Sequence, residues 1–256
     1  MTFIDTHTHI YDEAFSGEED AVIGRALGAG VTTMIQPDVD SRERDAMFAL
    51  VDRHPKELRA MLGLYPGSVD KAWRDEIDAM LRYRDRDVVA IGEIGLDYHY
   101  GAEFAAEQKE AFRVQLELAA GMGLPVNIHL REATDDFFSI LAACAGHGLR
   151  GSLHAFSGSY ETFTRVQKYG EWYVGIGGVV TFKKASLAEA VKRIPLDHII
   201  LETDSPYLTP VPQRGERNES MYIPLIAGKI AELKGIGEDE VAEVTTSNAK
   251  RLFNLK

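Results

Sequence analysis

The feature that most limits what this chain can fold into is a repeat. Apolar runs of strand character recur every 22 to 37 residues, and each is followed by a stretch with helical spacing. Strands are predicted near Thr2 to His9, Val31 to Pro37, Arg59 to Tyr65, Val88 to Gly95, Pro125 to Arg131, Arg150 to Phe156, Trp172 to Gly178 and His198 to Ser205. Between them lie helical segments such as Glu103 to Met122, where Phe104, Phe112, Leu116 and Ala119 recur on one face and Gly123 with Pro125 marks the stop. Ser41 is a plausible N-cap for another helix, Leu187 to Arg193 continues the alternation, and helices around Ile223 to Leu233 and Glu238 to Phe253 close it. Eight βα units predict an α/β chain of (β/α)8 TIM-barrel type. A doubly wound open sheet is the main competitor, but neither Gly92-Glu93-Ile94-Gly95 nor Gly175-Ile176-Gly177-Gly178 has the G-x-G-x-x-G spacing of a dinucleotide site.

At 256 residues, with 45% hydrophobic and 27% charged residues, one barrel accounts for the whole chain, so residues 1–256 are expected to form a single domain. No linker or low-complexity tract suggests a boundary. The start, Thr2-Phe3-Ile4-Asp5, lacks the pattern of a signal peptide, and no stretch approaches the roughly 18 apolar residues of a membrane span. A lone cysteine, Cys144, in the apolar run Ile140 to Ala145, excludes a disulfide framework and thiolate clusters, so the cytoplasm is the natural compartment. A net charge of −12 argues against generic binding to long nucleic acid.

The strongest chemical signal is His7-Thr8-His9 at the end of the first strand. Alternate residues of a strand point the same way, so both imidazoles project into one space. Four further strand ends each deliver a metal-competent side chain, namely Glu93, His129, His154 and Asp204. A barrel gathers such ends into one ring, so six ligands from strands one, four, five, six and eight converge, enough for two divalent ions. Nitrogen and carboxylate donors without thiolate suit zinc, manganese, cobalt or magnesium in a catalytic site. With Glu93 bridging, water between the ions would be acidified towards a pKa of about 7. Asp204 would accept its proton, and the pair of ions would stabilise both oxygens of an in-line displacement, which favours phosphoester hydrolysis. Glu202 shares parity with Asp204 one layer deeper and is expected to be paired and structural. His54, His99, His147 and His198 fall outside the pattern. Arg131 shares parity with His129 and is the leading candidate for a phosphate contact, ahead of Lys183, Lys184, Arg214 and Arg217.

These motifs carry a family resemblance. Ile4-Asp5-Thr6-His7-Thr8-His9, Gly92-Glu93-Ile94-Gly95-Leu96-Asp97-Tyr98, His129-Leu130-Arg131-Glu132-Ala133, His154-Ala155-Phe156-Ser157-Gly158 and Glu202-Thr203-Asp204-Ser205-Pro206-Tyr207-Leu208 appear in order across nearly the whole chain. Together they resemble the TatD-like metal-dependent hydrolases of the amidohydrolase superfamily, which include the TatD deoxyribonucleases. The resemblance implies a barrel fold, divalent-metal dependence and hydrolysis, with His7, His9 and Asp204 on one ion, His129 and His154 on the other, and Glu93 between them. Two positions depart from it. Gly63-Leu64-Tyr65-Pro66-Gly67 stands where the family shows a glycine, any residue, then His-Pro-His, and Asn218-Glu219-Ser220 stands where it shows Asn-Glu-Pro. Tyr65 retains a hydroxyl donor but cannot act as an imidazolium.

Three functions follow: a phosphodiesterase or deoxyribonuclease, a hydrolase of small esters, lactones or amides on the same site, and a metal-stabilised interaction protein. The complete ligand set disfavours the third. The expected substrate of the first is a small phosphodiester or a DNA end, with weak binding of long duplex DNA.

Overall fold

The computed structural model describes residues 1–144, 146–183 and 186–256. Eight strands form one sheet in sequential order, all neighbours parallel: β1 (Phe3–Asp5), β2 (Val31–Gln36), β3 (Leu58–Leu62), β4 (Val88–Asp97), β5 (Val126–Arg131), β6 (Arg150–Leu153), β7 (Glu171–Ile176) and β8 (Ile199–Leu201). The sheet curls so that its edges meet. Thr6 N donates to Leu201 O at 3.0 Å, Thr8 bridges Ser205 in parallel, and Asp204 N donates to His7 O at 2.9 Å. Buried Asp5 strengthens this seam by accepting from Thr203 N at 3.0 Å and Thr203 Oγ1 at 2.6 Å. The chain is therefore a (β/α)8 barrel.

Helices α1 (Glu19–Gly28), α2 (Arg44–Arg53), α3 (Trp73–Leu81), α4 (Ala105–Met122), α5 (Thr134–Ala143), α6 (Tyr160–Val166), α7 (Leu187–Arg193), α8 (Ile223–Lys234) and α9 (Glu238–Phe253) lie outside the sheet. Their buried faces, such as Phe112, Leu116 and Ala119 of α4, pack against strand residues including Leu62, Ile94 and Ile128 in one apolar cluster. Gly123 closes α4 in the left-handed conformation, at φ 67°.

Two local expectations change. Ser41 is not a helix cap: its hydroxyl and amide both bond the Glu76 carboxylate, at 2.7 and 3.0 Å, and α2 starts at Arg44. Strands β1, β6 and β8 are shorter than predicted, so His7, His9, His154 and Asp204 lie beyond regular strand. The reason is the change of partner at the rim. Past Asp5 the backbone bonds alternately to Leu201 on one side and Ile35 on the other, and Asp204 turns to φ 56°.

Candidate metal centre

The carboxyl ends of the strands open into a cavity of about 620 Å³, lined among others by His9, Tyr65, Glu93, Tyr100, His129, Arg131, His154, Asp204 and Tyr207. The six residues singled out in the sequence meet at its floor in two groups. In the first, His7 Nε2 lies 3.2 Å from His9 Nε2, and both nitrogens lie 3.6 Å from Asp204 Oδ1. In the second, His129 Nδ1 and His154 Nε2 are 3.2 Å apart, and each is 2.9 Å from Glu93 Oε1. The other Glu93 oxygen, Oε2, reaches His7 Nε2 at 3.5 Å. Glu93 therefore joins the two groups, while the His7 ring also stacks on that of His154 with centroids 3.8 Å apart.

What makes this a donor set is the far side of each ring. His7 Nδ1 pairs with Asn127 Oδ1 at 2.8 Å, and Asn127 is itself held by donating to Ser152 Oγ at 3.0 Å. His9 Nδ1 meets the Tyr11 hydroxyl at 3.0 Å, whose own proton goes to Pro37 O, so the phenol oxygen is the acceptor. His129 Nε2 donates to Asp97 Oδ2 at 2.9 Å. His154 Nδ1 faces Glu202 Oε1 at 3.7 Å. An acceptor bonded to the outer nitrogen of His7, His9 and His129, and a carboxylate facing that of His154, leave the inner nitrogens with a lone pair for a cation, the arrangement that orients metal-binding histidines generally. The residues present fit divalent ions.

Electrostatics follow the same division. Burial raises the Glu93 carboxyl, but the charge of His154 and hydrogen bonds from His129, His154 and His7 hold it well below the usual carboxylate range. Burial lowers His154, yet the Glu93 charge and the contacts with Glu202 and Glu93 lift it well above an ordinary imidazole. His9 and His129 are also raised against burial, by Asp204 and by Asp97 with Glu93 respectively. His7 is lowered, by burial and by the charge of His154. Burial would raise Asp204, but the His9 contact and the surrounding imidazoles bring it below its usual value.

Glu202 is fully buried, and its Oε1 accepts from Ala155 N. Gly175 of β7 makes room for it: a Cβ there would lie 1.9 Å from Glu202 Oε2. Asp97, Asn127 and Tyr11 were not singled out in the sequence. The signal was available, since Asn127 is two residues before His129, Tyr11 two after His9 and Asp97 four after Glu93.

Among the described cationic candidates, only Arg131 lines the cavity, its guanidinium 5.5 Å from the ring centroid of Tyr100. Arg217 is occupied elsewhere, donating to Glu18, Glu219 and Ala14 O. Arg214 lies over Phe182, Lys183 is exposed away from the lining, and Lys184 lies outside the described residues. His54 pairs with Asp20, His198 with Trp172 O and His99 with Glu132, while His147 is exposed. No described helix is long and apolar enough to cross a membrane.

The "TatD related DNase" family profile matches residues 4–254. The uncharacterized metal-dependent hydrolase YabD of Bacillus subtilis is 39% identical over 262 residues, spanning 98% of each chain. The 3'-5' ssDNA/RNA exonuclease TatD of Erwinia tasmaniensis is 34% identical over 259 residues, spanning 98% of this chain and 99% of its own. In three dimensions the barrel superposes on YjjV, a TatD homologue from Escherichia coli, with a TM-score of 0.90 at 31% identity, covering 99% and 98% of the two chains. Barrel, converging histidines and relatives together define a metal-dependent hydrolase. The chain belongs to the TatD family.

Proposed function

We propose that this protein is a phosphodiesterase of TatD type that uses two divalent ions, and that residues 1–256 work as one hydrolase barrel in the cytoplasm. One observation carries the reading: the two oxygens of Glu93 face two separate groups of lone-pair donors. On this reading His7, His9 and Asp204 hold one ion, His129 and His154 hold the other, and Glu93 bridges them. Zinc, manganese, cobalt and magnesium all suit nitrogen and carboxylate donors. The bound ions supply Lewis acidity to a water molecule and to the phosphoryl oxygen. Asp204 turns Oδ1 to the imidazoles, which leaves Oδ2 to take the proton of the attacking water. Arg131 grips the phosphate from the β5 side of the mouth.

The relative in Erwinia tasmaniensis, named as a 3'-5' ssDNA/RNA exonuclease, supports a strand end or a small phosphodiester as substrate. Long duplex DNA binds weakly on this reading, because a chain of net charge −12 opposes a polyanion and Arg131 is the sole Lys or Arg among the described lining residues. The test is a screen of protein reconstituted separately with each metal against a chromogenic phosphodiester, carboxylic esters, lactones and end-labelled single-stranded DNA. Metal-dependent cleavage of the diester and trimming from the DNA end are expected. Turnover of esters or lactones alone would replace phosphoester hydrolysis with the second chemistry suggested by the sequence.

A further inference from the structure

The loop after β3 holds Tyr65 beside the candidate metal centre. Its backbone is pinned, with Tyr65 N donating to Val39 O at 2.9 Å, Ser68 N donating to Tyr65 O at 3.0 Å, and Pro66 buried between them. The ring meets His129 edge to face, with centroids 5.1 Å apart at 84°. Among the described residues the hydroxyl has no strong partner. It lies 3.5 Å from Asp97 Oδ2, at the limit of a hydrogen bond, and that oxygen already accepts from His129 Nε2 at 2.9 Å. The other Asp97 oxygen accepts from His99 N at 2.8 Å. Tyr65 thus brings a weakly engaged O–H donor to the wall of the cavity, next to a histidine of the cluster.

Gly67 is what permits this placement. A Cβ at position 67 would stand 2.3 Å from Tyr65 Cε1 and 3.0 Å from Cζ, so the ring occupies the volume that any side chain at 67 would need. With the backbone fixed at both ends, a methyl group there can be admitted only by swinging the ring, and with it the hydroxyl. The two residues form one unit.

We propose, resting on the phosphoester reading above, that Tyr65 is a substrate-contacting donor to a non-bridging phosphoryl oxygen, held in register by Gly67, and that it tunes the site to a singly charged diester. The charge argument comes from the rest of the lining. A phenol donates without adding positive charge. Arg131 shares the lining with the carboxylates of Asp12 and Glu43, whose negative charges at the mouth oppose the second charge of a phosphomonoester.

The experiment uses metal-reconstituted full-length protein and the variants Tyr65→Phe, Tyr65→Ala, Gly67→Ala and Tyr65→Ala/Gly67→Ala. Binding of diethyl phosphate, an unreactive diester, is measured by calorimetry, together with metal content and kcat/KM for bis(p-nitrophenyl) phosphate and p-nitrophenyl phosphate. Wild-type protein is expected to prefer the diester. Tyr65→Phe should keep its metal and lose roughly 10- to 100-fold in kcat/KM, as for a hydrogen bond to a charged group, with diethyl phosphate weakened at least tenfold. Gly67→Ala should lose a similar factor when Tyr65 is present and nothing further in the Tyr65→Ala background. Tyr65→Phe within twofold of wild type, or a Gly67→Ala effect that is the same with and without the ring, would overturn the assignment. A wild-type preference for the monoester would overturn the charge selectivity. Should wild-type protein cleave only carboxylic esters or lactones, the same variants are assayed on those. A Tyr65→Phe loss there upholds the donor while the phosphoester reading fails, and no loss refutes both.

Discussion

Replacing Gly175 with alanine puts a methyl group where Glu202 already stands. The added Cβ lies 1.9 Å from Oε2 and 2.5 Å from Cδ of that carboxylate, and ordinary contact requires roughly 3.5 Å. Glu202 must retreat by about 1.5 Å, yet it is fully buried and its Oε1 is bonded to Ala155 N. Overpacking of a buried site costs roughly 1–3 kcal/mol. Loss of a hydrogen bond to a charged group costs roughly 1.5–3 kcal/mol more. For a chain of this size each kcal/mol moves Tm by about 2–4 °C, so Gly175→Ala should melt roughly 5–20 °C below wild type in the metal-free state. The same displacement removes the carboxylate facing His154 Nδ1, and loss of such an outer partner typically lowers metal affinity about 10- to 100-fold. Calorimetric melting and metal titration read the two effects separately. A double-mutant cycle with Glu202→Ala isolates the clash, since the methyl group should cost far less once the carboxylate is gone. Unchanged Tm and metal affinity in Gly175→Ala, or an equal cost in both backgrounds, would refute the claim that Gly175 exists to seat Glu202 behind His154.

Three further outcomes are expected. Glu93→Ala should deplete both ions, whereas His129→Ala should mainly deplete one; two tightly bound ions in the Glu93 variant, measured by elemental analysis, would remove its bridging role. Asp204→Asn should lose turnover beyond its loss of metal, because an amide cannot take the proton of water, and unchanged kcat at saturating metal would sink that assignment. Metal uptake should release protons and tighten as pH rises through neutrality. Neighbouring carboxylates lift His154 well above an ordinary imidazole and raise His9 and His129 against the effect of burial, so the metal-free cluster binds protons more tightly than free imidazoles do, and the ions must displace them. Titration in buffers of different ionisation enthalpy counts them, and zero net release would contradict the charge state described here.

How far the sequence reaches is clearest at individual residues. The alternation of strand and helix periods announces eight βα units, and the bounds of α7 and α9 match their predicted spans because an apolar face at 3.6-residue spacing is a local property. The type and order of the six candidate ligands are equally legible, since each ends an apolar run and the barrel topology sends every strand end to one rim. Tertiary structure decides what surrounds them. That Asn127 on β5 holds His7, just past β1, depends on two segments 120 residues apart in sequence, and the 3.7 Å approach of Glu202 to His154 likewise joins distant segments. Only packing shows that Arg217 is committed to Glu18 and Glu219 while Arg131 stays in the cavity, because a charge in sequence carries no record of its partner. The pairing of Tyr65 with Gly67 is the sharpest case. The sequence displays a tyrosine and a glycine two apart, but that the ring fills the space of a missing side chain follows from where the pinned loop holds it against β4 and β5.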